Sequence, residues 1–169
     1  GGHCSILSPV PPARHGRNLD DSKGARARSR GPGTTGNLTR MPNPSLLSVL
    51  RERAGVAPND AAFTYTDYDV DWNGVSETLT WSQAFRRTIN VAIEVAKHGE
   101  VGDRAVIVAP QGLHYIYAFL GVMQAGRIAV PLSIPAVGSH DERISAVFAD
   151  TDPTVILTTA AIAPSVTEY

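Results

Sequence analysis

The chain has 169 residues, 43% of them hydrophobic, 18% charged and 7% aromatic, with a formal net charge of −1, the profile of one ordinary soluble domain with a tail. The single cysteine, Cys4, excludes an internal disulfide, and no paired Cys/His spacing offers a zinc site, so stability rests on packing and backbone hydrogen bonds, as in a reducing, cytoplasmic compartment. The longest strongly apolar stretch, Tyr115 to Met123, falls well short of the ~20 residues of a membrane-spanning helix, and the first residues given lack the charged-then-apolar order of a secretory signal.

The charge divides unevenly along the chain. Residues 1–40 hold seven Lys/Arg and two Asp (+5), whereas residues 41–169 hold eight Lys/Arg and fourteen Asp/Glu (−6). The first forty residues also carry eleven of the 27 Gly and Pro and few apolar residues after Val10, too few to offset the entropy of ordering. The reading is a disordered basic tail over 1–40.

From Met41 the punctuation becomes regular. Pro44 and Ser45 precede Leu46, Leu47, Val49 and Leu50, which predicts a short amphipathic helix ending by Gly55 and Pro58. Ala62 to Tyr68 and Val75 to Thr80 are rich in β-branched and aromatic residues, with Asn73-Gly74 between them, the signature of a β-hairpin. Thr80 followed by Gln83 makes a capping box, and Trp81, Phe85, Ile89, Ala92 and Ala96 follow at helical spacing up to Gly99, so a helix is expected.

Beyond Arg104 short apolar runs alternate with helical ones. Strands are expected at Ala105–Ala109, Ile128–Leu132 and Thr154–Thr158, and helices at Leu113–Ala125 and Asp141–Asp150. This βαβαβ order implies an α/β fold, a partial parallel sheet covered on both faces, with right-handed crossovers and the hairpin on its N-terminal side. Ala160–Tyr169 begins another helix with no strand to return to, and three parallel strands are few for a doubly wound domain, so the sequence reads as cut.

Several motifs suggest chemistry that their context denies. Gly31-Pro32-Gly33-Thr34-Thr35-Gly36 matches the dinucleotide-binding string, but no strand precedes it and no helix follows. Asp69-Val70-Asp71-Trp72-Asn73-Gly74 reproduces the first half of a calcium loop, yet position 12 is Thr80 and the flanks read as strands, so it reads as a solvated turn. Lys23 to Arg30 holds four basic residues in eight without aromatic interleaving or a recognition fold, so nucleic acid is not an expected partner. His3, His15, His98, His114 and His140 are widely spaced, none at i, i+4 with another, which argues against a metal site. What remains is positional: Pro110-Gln111-Gly112, Ser133-Ile134-Pro135 and Thr158-Thr159 follow the three expected parallel strands, at the carboxyl ends where open α/β sheets bind ligands.

Two of these segments carry a resemblance. Leu79-Thr80-Trp81-Ser82-Gln83, followed by Ala84-Phe85-Arg86-Arg87, resembles the first core motif of adenylate-forming enzymes, and Met123 to Leu132 (MQAGRIAVPL) resembles their second. Within that superfamily, Phe63 to Trp72 (FTYTDYDVDW), Leu79 to Arg87 and Ala109 to Leu120 (APQGLHYIYAFL) are similar to fatty-acyl-AMP ligases. The likeness runs from Met41 to Tyr169.

The resemblance implies ATP and magnesium as cofactors, a long-chain fatty acid as substrate, and an acyl carrier protein or polyketide synthase as acceptor. An acyl-CoA synthetase, a peptide-synthetase adenylation domain and a non-catalytic interaction module derived from a ligase are the alternatives. The family's phosphate loop, its later acidic residues, its subfamily insertion and its C-terminal domain with a catalytic Lys have no counterpart in these 169 residues. No catalytic or metal-binding residue is therefore assigned, cofactor-binding residues stay unassigned, no cofactor is expected to bind tightly, and the chain is expected to be the inactive N-terminal portion of an AMP-binding domain.

Overall fold

The computed structural model describes residues 4–7, 44–135 and 141–167. The elements are β1 (Cys4–Leu7), α1 (Leu46–Val56), β2 (Ala61–Asp67), β3 (Val75–Thr80), α2 (Trp81–Val95), β4 (Arg104–Val108), α3 (Leu113–Gln124), β5 (Ile128–Leu132), α4 (Glu142–Thr151), β6 (Val155–Thr159) and α5 (Ala163–Val166). The Gly31–Gly36 string, the basic run Lys23–Arg30, His3, His15, His140 and most of the expected tail lie outside the described residues.

The helix starts follow the sequence closely. Ser45 caps α1, its hydroxyl accepting from the Ser48 N–H at 3.1 Å. At α2 the capping box is complete: the Gln83 N–H donates to Thr80 Oγ1 at 3.3 Å and the Thr80 N–H to Gln83 Oε1 at 3.0 Å, satisfying two amide donors that the first turn leaves free. Asp141 caps α4 through the Arg143 N–H, and its hydrogen bond to the exposed guanidinium, with its charge, holds Arg143 above the ordinary arginine range.

On α2 the most deeply buried residues are not Trp81 and Phe85, which pack on the edge of the core, but smaller ones. Ala84, Thr88, Val91, Ala92 and Val95 are buried, while Trp81, Phe85 and Ile89 are half-buried and Ala96 is exposed. The reason is the close approach of α3. A Cβ at Gly121 would lie 2.6 Å from Val91 Cβ and 3.0 Å from the Thr88 carbonyl oxygen, so the small residues of α2, and not its aromatics, define the contact.

The hairpin turn is longer than a two-residue Asn-Gly turn. Residues 68–74 form the loop, in which Asp67 and Asp71 carboxylates accept the N–H groups of Asp69 and Asn73 at 2.9 and 2.8 Å, and Gly74 takes φ +80°. Two local side-chain to backbone bonds thus compete successfully with a tight turn. Along the strands Thr64 bonds Thr78 and Thr66 bonds Ser76 through their hydroxyls at 2.8 and 2.9 Å.

The main sheet has the order β1-β6-β4-β5, with β6, β4 and β5 parallel. β1 runs antiparallel to β6 and pairs Cys4 with Thr159 through Leu7 with Ile156. This strand was not expected within the tail; an unpaired sheet edge at β6 templates the addition of a short extended segment. Central β4 is buried from Ala105 to Val108. Ala105 and Ile107 face the core formed with α2 and α3, whereas Val106 and Val108 face a second core with Phe148 of α4 and Val166 of α5. Both faces are covered, as a parallel sheet requires.

Candidate functional site

In the order β6-β4-β5 the central strand β4 sends its loop to one face of the sheet and its neighbours send theirs to the other. After Val108 the chain leaves for α3 on one face, and after Leu132 it leaves for α4 on the other. Where neighbouring loops diverge in this way the backbone leaves a crevice, the place where open α/β sheets take ligands. A crevice of about 400 Å³ is present there, lined by Ala109, Pro110, Gln111, Tyr115, Pro131, Leu132, Ser133 and Ile134.

Of the three expected loop segments, the structure brings together parts of two. Pro110-Gln111 and Ser133-Ile134 face each other across the crevice. Thr158-Thr159 do not line it: β6 lies on the other side of β4, and the Thr158 hydroxyl is buried. Gly112 lines a neighbouring recess of about 430 Å³ shared with Tyr65, Asp67, Asp69 and Glu77 of the hairpin.

Tyr115 lies outside the three loop segments that the strand ends point to. It is the third residue of α3 and lines both the crevice and an apolar cavity of about 340 Å³ formed with Leu46, Leu50, Phe63, Trp81 and Phe119. Its signal was available: an aromatic residue in the first turn after a strand-to-helix loop is directed back over that loop.

The chemistry of the crevice is that of binding. An amide, a hydroxyl and a phenol, Gln111, Ser133 and Tyr115, sit among apolar walls, and among the described residues no Lys, Arg, Asp or Glu lines it. Such a lining orients a ligand by hydrogen bonds, but it holds no charge to neutralise a phosphate and no carboxylate to hold a divalent cation. Among the described residues no group of three His, Cys, Asp or Glu is placed to hold a metal. The Asp69–Gly74 segment, which resembles half a calcium loop, spends the Asp71 carboxylate on the N–H of its own turn.

A family model described as AMP-binding enzyme matches residues 50–168. The chain belongs to this family. Its relatives among AMP-binding enzymes include a Mycobacterium tuberculosis protein named fatty-acid–CoA ligase FadD21, 67% identical over 129 residues, which are 76% of this chain and 22% of that protein. A second from the same organism, named long-chain-fatty-acid–AMP ligase FadD23, is 59% identical over 118 residues, 70% of this chain and 20% of that one. The chain therefore spans about a fifth of the length of these AMP-binding relatives.

Among solved structures, the fatty acyl-adenylate ligase of Legionella pneumophila, determined in complex with acyl adenylate and pyrophosphate, is similar at a TM-score of 0.59 and 31% identity, over 65% of this chain and 19% of that one. The hairpin, helix pair and parallel strands are those of the N-terminal domain of adenylate-forming enzymes. Among the described residues no helix is long and apolar enough to cross a membrane.

Proposed function

We propose that this chain is the N-terminal part of a cytoplasmic ligase that activates a long-chain fatty acid with ATP to an acyl-adenylate, and then passes the acyl group to the phosphopantetheine thiol of a carrier protein or polyketide synthase. The observation that carries the reading is the 59% identity to a protein named as a long-chain-fatty-acid–AMP ligase. The crevice fits a supporting role, since Gln111, Ser133 and Tyr115 can orient a polar ligand beside apolar surface.

Adenylation joins a carboxylate to an α-phosphate, and cations and amides must neutralise the charge that this encounter concentrates. When bound, magnesium supplies that neutralisation and ATP the adenylyl group. The crevice lining does not fit either one: among the described residues it has no carboxylate for the cation and no basic group for the triphosphate. In the proposed enzyme those groups come from outside residues 44–167, and the chain alone is inactive.

The test is a chimera in which residues 44–167 replace the matching segment of FadD23. It is expected to exchange pyrophosphate into ATP with long-chain fatty acids and to load a holo-carrier protein, while residues 1–169 alone give no exchange. A folded chimera without exchange overturns the reading, as does turnover by the isolated chain. The 67% identity to a protein named as a CoA ligase favours a second reading, acyl-CoA synthesis; acyl-CoA as the product of the chimera would establish it in place of carrier loading.

A further inference from the structure

We propose that the tip of the β2–β3 hairpin is a docking surface for a basic protein segment that carries arginine. Three large side chains there are exposed in this chain: Trp72 is 93% exposed, Val70 71% and Tyr68 68%. They alternate with Asp67, Asp69 and Asp71, so the loop presents aromatic and aliphatic surface ringed by carboxylates. Isolated exposed apolar residues are ordinary, but such a group on one loop marks an interaction site, and Trp and Tyr are the residues that anchor interfaces.

The charge selects the occupant. Between Ala54 and Phe85 there are five carboxylates, Asp60, Asp67, Asp69, Asp71 and Glu77, and no Lys or Arg. Arg87 lies 3.7 Å from Glu77 and 5.5 Å over the Tyr117 ring, so it sits at the base of the hairpin and leaves the tip acidic. Nucleic acid and anionic lipid are repelled by this surface, whereas a basic segment is attracted, and a guanidinium can stack on an indole or phenol ring while bonding a neighbouring carboxylate.

The loop is shaped in advance. The Asp69 and Asn73 N–H groups donate to Asp67 and Asp71 carboxylates, and the Gly74 N–H donates to the Asp71 carbonyl at 2.8 Å. Gly74 also lets the loop close tightly, since a Cβ there would lie 2.9 Å from the Tyr68 ring. A loop already held in one shape loses less freedom on binding.

The test uses a fluorescein-labelled peptide of four Arg-Ala-Ala repeats, titrated into the 169-residue chain and followed by polarisation. Saturable binding is expected, weakening as salt rises. Trp72→Ala is expected to weaken it about fivefold, the effect of one exposed cation–aromatic contact, and Asp69→Asn with Asp71→Asn about threefold at low salt. The double Asn variant keeps the oxygen that accepts the Asn73 N–H, so the loop shape persists. Absent binding, unchanged affinity in Trp72→Ala, or equal binding of the matching Glu-Ala-Ala peptide overturns the proposal. So does Trp72-dependent binding to phosphatidylcholine vesicles without peptide binding, which would make the tip a lipid-interface anchor.

Discussion

Arg127 Nη1 donates to Asp103 Oδ2 at 3.1 Å, and the two partners live in different solvent. The guanidinium side chain is 2% exposed and the carboxylate 37%. The same Nη1 bonds the Glu100 carbonyl, while Asp103 Oδ2 accepts the Glu100 N–H at 2.7 Å. Gly99 makes room for this clasp, because a Cβ there would lie 2.5 Å from Asp103 Oδ2. The clasp stands at the amino ends of β4 and β5, opposite the crevice, so its work is structural.

The asymmetry gives the first prediction. Asp103→Ala leaves a buried guanidinium without its counter-charge and is expected to cost about 3 kcal/mol. Arg127→Met substitutes a buried apolar side chain of comparable length and leaves a carboxylate that water can reach, so the cost is expected at about 1 kcal/mol. Urea unfolding of both variants checks the order; equal costs would show that the pair is solvated as a unit.

Thr80 supports the turn from β3 into α2. Thr80→Ala deletes the acceptor for the Gln83 N–H and is expected to destabilise by about 1 kcal/mol. Thr80→Ser keeps the oxygen and is expected to cost only a few tenths of that. The comparison of the two melting curves isolates the cap from the packing of the threonine methyl group.

The strand β1 makes the third prediction. Removing Cys4–Leu7 uncovers the β6 backbone between Ile156 and Thr159, and an open edge pairs with other chains. The deletion is expected to lower solubility and raise light scattering at concentrations where the full chain stays clear. Equal scattering by both proteins would show that the pairing contributes nothing to edge protection.

The legible parts of the sequence were those with local causes. The Thr80/Gln83 box, the Ser45 cap and the three apolar strand runs each announce themselves within a few residues, and the structure places them within one or two residues of expectation. The close approach of α2 to α3 and the role of Tyr115 were not legible, because both depend on how α3 packs. A helical period states that a face is apolar; it does not tell which of two adjacent apolar stripes meets a neighbour whose glycine permits contact. The crevice was half legible for the same reason. Strand ends named three loops, but β4 has both β5 and β6 as neighbours, and no strand sequence tells which neighbour's loop turns toward Gln111; Ser133 does and Thr158 does not.

Gly121 tests that packing directly. Its missing side chain lets α3 settle on α2 with Val91 Cβ and Cγ1 both 2.6 Å from where a Cβ would stand and the Thr88 carbonyl oxygen at 3.0 Å. Gly121→Ala favours the isolated helix by about 1 kcal/mol, yet the added methyl overlaps a side chain and a backbone atom at once, and overpacking of this kind costs about 1–3 kcal/mol. The net expectation is a loss of stability despite the gain in helix propensity. Val91→Gly in the Gly121→Ala background removes both Val91 atoms that the added methyl would meet and leaves only the Thr88 carbonyl, so the double variant is expected to be more stable than the sum of the single effects by about 1 kcal/mol. Additive effects in a double-mutant cycle would show that the helices separate freely and that the contact does not set the face of α2.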